Sequence, residues 1–152
     1  MPDLSASHRL RTGRYAEQSR IYLLTTNTLN RERAFEDFAS GRLIVDQFRS
    51  AQDQRWANSL AWVVMPDHFH WLIELQHGSL SELMQKTKSL SARVVNMATG
   101  RKGRLWQQGY HDRALRREED LVGLARYVVA NPLRAGLVPR LGDYPLWDAI
   151  WV

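Results

Sequence analysis

The amino-acid sequence predicts an α+β domain in which helices pack on an antiparallel sheet. Three observations carry this. Segments rich in strand-forming residues alternate with segments whose apolar residues recur at helical spacing, in the order strand, helix, strand, strand, helix, short strand, helix. Two of the strands are separated only by Pro66-Asp67, a break that favours an antiparallel hairpin. The chain of 152 residues is 44% hydrophobic and carries six Trp, five Tyr and four Phe, enough to bury a real core. With no internal repeat, low-complexity run or linker, residues 1–152 read as one domain, with a basic leader over 1–20 and a tail over 139–152.

After the leader, Ile21-Tyr22-Leu23-Leu24-Thr25-Thr26 reads as the first strand. Asn30 is a candidate cap for a helix in which Phe35, Phe38, Leu43 or Ile44, Val45 and Phe48 recur at helical spacing to about residue 52, with an interruption expected near Gly41. Strands over about 59–65 and 68–75 form the hairpin. Ser79 or Ser81 caps the next helix, with Leu83, Met84, Leu90, Val94 and Met97 on its apolar side, and the segment 100–103 ends it. Short extended pieces follow at Leu105-Trp106 and over 110–115, and a helix over 121–131 is expected to stop at Pro132. The tail has few regular signals and is expected to lie over the domain.

Composition narrows the chemistry. The absence of Cys excludes disulfides, thiolate zinc and a Cys nucleophile. The apolar runs over 21–24, 60–65 and 69–75 fall far short of the roughly 18 residues a membrane helix needs, and the N-terminus lacks an apolar signal core, so a soluble cytoplasmic protein is expected. The formal charge of +5 is unevenly placed. Between residues 86 and 117, Lys86, Lys88, Arg93, Arg101, Lys102, Arg104, Arg113, Arg116 and Arg117 face one acid, Asp112, for a local +8. Arg outnumbers Lys 18 to 3, and the guanidinium fork matches phosphate oxygens and stacks on bases. A nucleic acid at the nucleoid is therefore the expected partner, and a solvated basic face is the blander reading.

Along the third strand side chains alternate. Phe69, Trp71, Ile73 and Leu75 share the core face, while His68, His70, Leu72 and Glu74 share the other. Two imidazoles side by side can offer two nitrogens to one divalent cation, although such a pair also suits two histidines that are merely solvated. On the later helix, Tyr127 and Asn131 are four residues apart and project from one face, with Gly123 a turn earlier leaving room for another backbone. Leu121, Leu124, Ala125 and Val128 account for the buried face without Tyr127. A tyrosine hydroxyl, with an ordinary pKa of about 10, is a poor nucleophile. It can attack a phosphodiester when a metal polarises the phosphate, and two His with a carboxamide oxygen can hold such a metal while leaving positions for phosphate and water.

These residues carry a family resemblance. Met65-Pro66-Asp67-His68-Phe69-His70 followed by Trp71-Leu72-Ile73 resembles the His-hydrophobic-His motif of the single-tyrosine HUH transposases. The run from Ala125-Arg126-Tyr127-Val128-Val129-Ala130-Asn131-Pro132 to Ala135-Gly136-Leu137-Val138 resembles their tyrosine helix. Leu105-Trp106-Gln107-Gln108-Gly109-Tyr110-His111-Asp112-Arg113 and Tyr144-Pro145-Leu146-Trp147 are similar to the subgroup of REP-associated tyrosine transposases. The resemblance implies a ferredoxin-like α+β domain, the HUH endonuclease fold, acting on single-stranded DNA folded into imperfect hairpins. It implies that His68 and His70 hold Mg²⁺ or Mn²⁺, that Asn131 completes the protein ligands where insertion-sequence relatives carry Gln, and that Tyr127 is the nucleophile, giving a 5′-phosphotyrosine and a free 3′-OH.

Further residues follow from it. Arg9, Arg11 and Arg14 are placed to read a short single-stranded segment at the hairpin foot, or belong to a disordered basic tail. Lys86, Lys88 and Arg93 would track hairpin phosphates from one helix, and Arg101, Lys102 and Arg104 from the following loop. Asp67 fixes the turn or orients a histidine, His111 fits a structural hydrogen bond as well as a place at the site, and Glu74 reads as surface charge. The subgroup resembles monomers with the site assembled in one chain, so a monomer is expected. The competing reading is a non-catalytic hairpin-binding module of the same fold. An RNA-binding domain lacks its aromatic platform signature here, and a metalloprotease lacks His-Glu-x-x-His.

Overall fold

The computed structural model describes residues 20–116 and 120–150, so the leader arginines Arg9, Arg11 and Arg14, together with Arg117, Glu118, Glu119 and Trp151, lie outside the described residues. Five strands form one sheet: β1 (Ile21–Asn27), β2 (Ala57–Met65), β3 (His68–Leu75), β4 (His111–Ala114) and β5 (Trp147–Ala149). Their order is β4-β1-β3-β2-β5, and every neighbouring pair is antiparallel. The β2–β3 hairpin turns on Pro66-Asp67, with Met65 opposite His68. The expected α+β class is the observed one.

Helices cover both faces. Helices α1 (Phe38–Asp53) and α2 (Leu80–Thr99) lie on the face of β3 that carries Phe69, Trp71, Ile73 and Leu75. There Phe48 stacks on Trp71 with centroids 4.4 Å apart and meets Phe69 edge-on at 5.0 Å. Buried indoles keep their polar ends satisfied: Trp71 donates to Ser59 Oγ at 2.8 Å and Trp106 to Ser91 Oγ at 2.9 Å. Helix α3 (Leu121–Val129) lies on the opposite face, where Ala125 and Val129 pack on Leu72 and Ala61. The period of two in β3 therefore decides which helix each of its residues meets.

Five local expectations change. Asn30 does not cap a helix; it sits in a 3₁₀ turn with φ 57°, and α1 starts later, where Asp37 accepts from Ala39 N at 3.1 Å. Gly41 does not interrupt α1, because its missing Cβ is the space taken by the Leu146 side chain. On α2, Met97 is exposed and the inward positions include Thr87 and Ser91, because Ser91 serves the buried indole of Trp106. The helix does begin at Ser79, in a reciprocal capping box with Glu82, and it ends at Gly100 with φ 70°. Asn131-Pro132 does not stop the helical path. Pro132 opens a further turn, α4 (Asn131–Arg134), where a missing N–H costs nothing.

The fifth change concerns the tail, which enters the sheet as β5 rather than lying over it. Val64 N donates to Leu146 O at 2.9 Å, and the buried Tyr144 hydroxyl donates to Val64 O at 2.6 Å. Burial pushes the Tyr144 phenol up to about 12, so it remains a donor. Filling the Leu146 notch is expected to loosen this anchor. Gly41→Val should lower stability by about 1–3 kcal/mol, read as a lower urea midpoint at unchanged slope; an unchanged midpoint would show that Leu146 moves aside freely.

Candidate active site

The histidine pair is built by β3 and its neighbours. His68 and His70 are half-buried on the α3 face, with ring centroids 5.0 Å apart and planes at 83°. Each ring has its Nδ1 engaged. His68 Nδ1 donates to Asp67 Oδ1 at 2.7 Å, since a carboxylate only accepts. His70 Nδ1 is hydrogen-bonded to Thr25 Oγ1 at 2.8 Å, across the β1–β3 register that places those two residues opposite each other. Such partners fix ring orientation and leave each Nε2 as the nitrogen available to a ligand. Burial first, then the charges of His68 and Arg134, lowers His70 to about 4, so it is neutral with a free lone pair near pH 7.

Asp67 links this pair to the neighbouring turn. Arg31 Nε donates to Asp67 Oδ2 at 2.9 Å, from a backbone with φ 56°. Burial works to raise the Asp67 carboxyl, but hydrogen bonds from His68 and Arg31 outweigh it and hold the group below its ordinary value. The following residues are tied to the same end of the sheet: Thr28 N donates to Asp67 O at 2.9 Å, and Gln107 N to Asn27 O at 2.9 Å. Asp67 therefore both closes the turn and orients His68.

Helix α3, which carries the tyrosine, packs on the sheet face that bears the histidines. Asp120 caps it, accepting from Gly123 N at 2.9 Å. A Cβ on Gly123 would strike the Asp120 carboxylate, so this glycine makes room for the helix's own cap and not for another backbone. Ala125, Val128 and Val129 are buried, whereas Tyr127 is 61% exposed. Asn131 Nδ2 donates to Val128 O at 2.7 Å, which turns the carboxamide and leaves Oδ1 as its acceptor. Arg134, which the sequence reading passed over, covers Tyr127: its Cζ lies 3.7 Å from the ring centroid and Nη1 donates to Tyr127 O at 2.6 Å.

Among the described residues no three or more His, Asp or Glu are gathered in a way that could hold a metal ion. A cation here would depend on the two imidazole nitrogens and on a further oxygen such as Asn131 Oδ1. Such a mixed nitrogen and oxygen set suits a divalent cation that also takes water and phosphate as ligands.

The basic residues divide into two groups. Lys88 is half-buried and donates to Gln107 O at 2.8 Å and Gly109 O at 2.5 Å, and burial lowers its pKa, so it fastens the loop rather than facing out. Arg101 pairs with Glu32, Nη2 to Oε1 at 2.5 Å, and also donates to Arg104 O at 2.8 Å. The Arg101 hydrogen bond draws the Glu32 carboxyl below its ordinary value. Lys86 lies over the Trp56 ring at 4.8 Å, on the α1–α2 side. Arg93, Lys102 and Arg104 are exposed. Glu74 takes a long hydrogen bond from Asn58 at 3.4 Å, and His111 is exposed on β4, opposite Thr25.

Comparisons with known proteins bear on the fold and the family. The REP-associated tyrosine transposase of Escherichia coli (strain K12) is 28% identical over 85 residues, covering 56% of this chain and 50% of that relative, so the match spans about half of the relative's length. The solved structure of a REP-associated tyrosine transposase bound to a REP hairpin superposes with a TM-score of 0.72 at 24% identity, covering 89% of this chain and 79% of that one. At that identity the likeness is one of fold. A model of the family described as "Transposase IS200 like" matches residues 18–131, from just before β1 to the asparagine at the head of α4. The chain belongs to the IS200-like transposase family.

Proposed function

We propose that this protein cuts and rejoins single-stranded DNA at imperfect hairpins of the REP type, using Tyr127 as nucleophile. One observation carries the reading: the tyrosine helix packs on the same sheet face as two histidines whose Nδ1 atoms are already engaged. Tyr127 Oη attacks the scissile phosphorus, the P–O3′ bond breaks, and a 5′-phosphotyrosine forms. The phenolic proton passes to solvent and the departing 3′ oxygen takes one up. Because the phosphotyrosyl bond conserves the energy of the one broken, a 3′-OH can reverse the step and join strands without ATP. His68, His70 and Asn131 would hold a divalent cation, which supplies Lewis-acid polarisation of the phosphate when bound. Since α3 packs on the sheet of its own chain, one protomer can complete the site, which supports a monomer.

The test is to incubate the protein with Mn²⁺ or Mg²⁺ and a pool of end-labelled hairpin oligonucleotides carrying randomised 5′ single-stranded flanks. A covalent adduct is expected on a denaturing gel, and EDTA should prevent it. Hairpins that bind without any adduct would discard strand transfer in favour of a non-catalytic module.

The same oligonucleotides test the basic surface. Arg93→Ala with Arg104→Ala should weaken hairpin binding and reduce the salt slope by about 2, roughly one for each lost phosphate contact. Unchanged affinity across several salt concentrations would move the DNA elsewhere. Lys88→Met is expected to act on the stability of the loop instead, because its ammonium is already engaged with Gln107 and Gly109.

A further inference from the structure

We propose that Arg134 is the positioning residue for the Tyr127 nucleophile, clamping the phenol ring and offering its remaining N–H groups to an oxygen of the phosphodiester. This rests on the strand-transfer reading above. Tyr127 is 61% exposed, and a ring so exposed has little packing to choose among its rotamers. Arg134 supplies the missing wall, with its guanidinium carbon 3.7 Å from the ring centroid. The same group donates from Nη1 to the carbonyl of Tyr127 itself at 2.6 Å, so ring and cation are referenced to one backbone position. The turn at α4 makes this possible, because it continues the helical path past Pro132 and sets Arg134 seven residues after Tyr127.

Arg134 is exposed, and with one face against the ring and Nη1 committed to Tyr127 O, its Nε–H and Nη2–H groups are the donors left to offer. Those two groups form the planar fork suited to two phosphate oxygens, which a lysine cannot reproduce.

The experiment compares wild type with Arg134→Gln and Arg134→Lys by two readouts. In single-turnover cleavage of the hairpin, Arg134→Gln should be slower by about 100-fold, the scale of a misplaced reacting group, while hairpin affinity changes by less than about threefold. Arg134→Lys should recover only part of the rate, since it restores the charge and not the planar stack. Independently of activity, ¹³C relaxation of the Tyr127 ring in protein without DNA or metal, assigned with Tyr127→Phe, should show a mobile ring in Arg134→Gln and an ordered one in wild type. Cleavage by Arg134→Gln within about threefold of wild type, or an equally ordered ring, overturns the proposal. Wild type that fails to cleave would sink the strand-transfer reading instead, and the ring order alone would then decide the part of Arg134.

Discussion

Tyr127→Phe is expected to fold normally, to bind hairpin DNA about as tightly as wild type, and to form no covalent adduct. The ring stays, so packing against Arg134 and the cap and core contacts of α3 are unchanged; only the exposed hydroxyl is removed. A surface change of this kind moves stability by no more than about 0.5 kcal/mol. The chemical effect is of another order. In the proposed reaction the phenol oxygen is the atom that bonds phosphorus, so the cleavage rate should fall on the order of 10⁴-fold or more, as when a nucleophile is deleted elsewhere. The check is a denaturing gel at matched hairpin occupancy. An adduct that persists in Tyr127→Phe assigns the nucleophile to a different side chain.

The second large effect is expected at the histidines. In the proposed site, removing either imidazole would leave one ring nitrogen and the Asn131 oxygen as protein donors, which weakens the hold on a divalent cation. His68→Ala and His70→Ala should each lose cleavage at every metal concentration, with hairpin binding retained. His70→Ala also strands the Thr25 hydroxyl, so its thermal unfolding must be followed beside its activity. Asp67→Asn is the graded companion. It weakens the grip on His68 Nδ1 and on Arg31, so Mn²⁺ affinity measured by calorimetry should fall about 10- to 100-fold, with cleavage recovered at high metal. Cleavage by either histidine variant at the wild-type rate, or wild-type cleavage in EDTA, would remove the metal from the reaction.

Much of the site is legible along the chain because it lies on regular elements. The alternation in β3 separates His68 and His70 from Phe69 and Trp71 before any tertiary contact is known, and a two-residue break fixes the hairpin. The helix carrying Tyr127 declares its buried face through Ala125 and Val128. Less regular parts mislead for identifiable reasons. Gly41 reads as a breaker because propensity does not know that Leu146, more than a hundred residues on, needs the space. Gly123 reads as an opening because the cap that fills it is a side chain. Pro132 reads as a stop, although proline suits the first turn of a helix, and that misreading hid Arg134, seven residues after Tyr127. The i, i+7 spacing was the available signal.

Charge shows the same division. The run of basic residues from Lys86 to Arg117 is visible in the sequence, yet the use of each charge depends on what the fold brings beside it. Lys88 meets the carbonyls of Gln107 and Gly109, and Arg101 meets Glu32 across 69 positions. Arg93, Lys102 and Arg104 keep their side chains in solvent.

The sequence by itself determined the α+β class, the hairpin, the facing histidines and the tyrosine helix, because side-chain periodicity is a local property of strands and helices. Only the tertiary structure decided that α3 covers the histidine face, that Thr25 and Asp67 turn the two imidazoles, that the tail supplies a fifth strand, and that Arg134 folds back on Tyr127. Those are contacts between elements, set by which surfaces are buried together, and no local pattern encodes them.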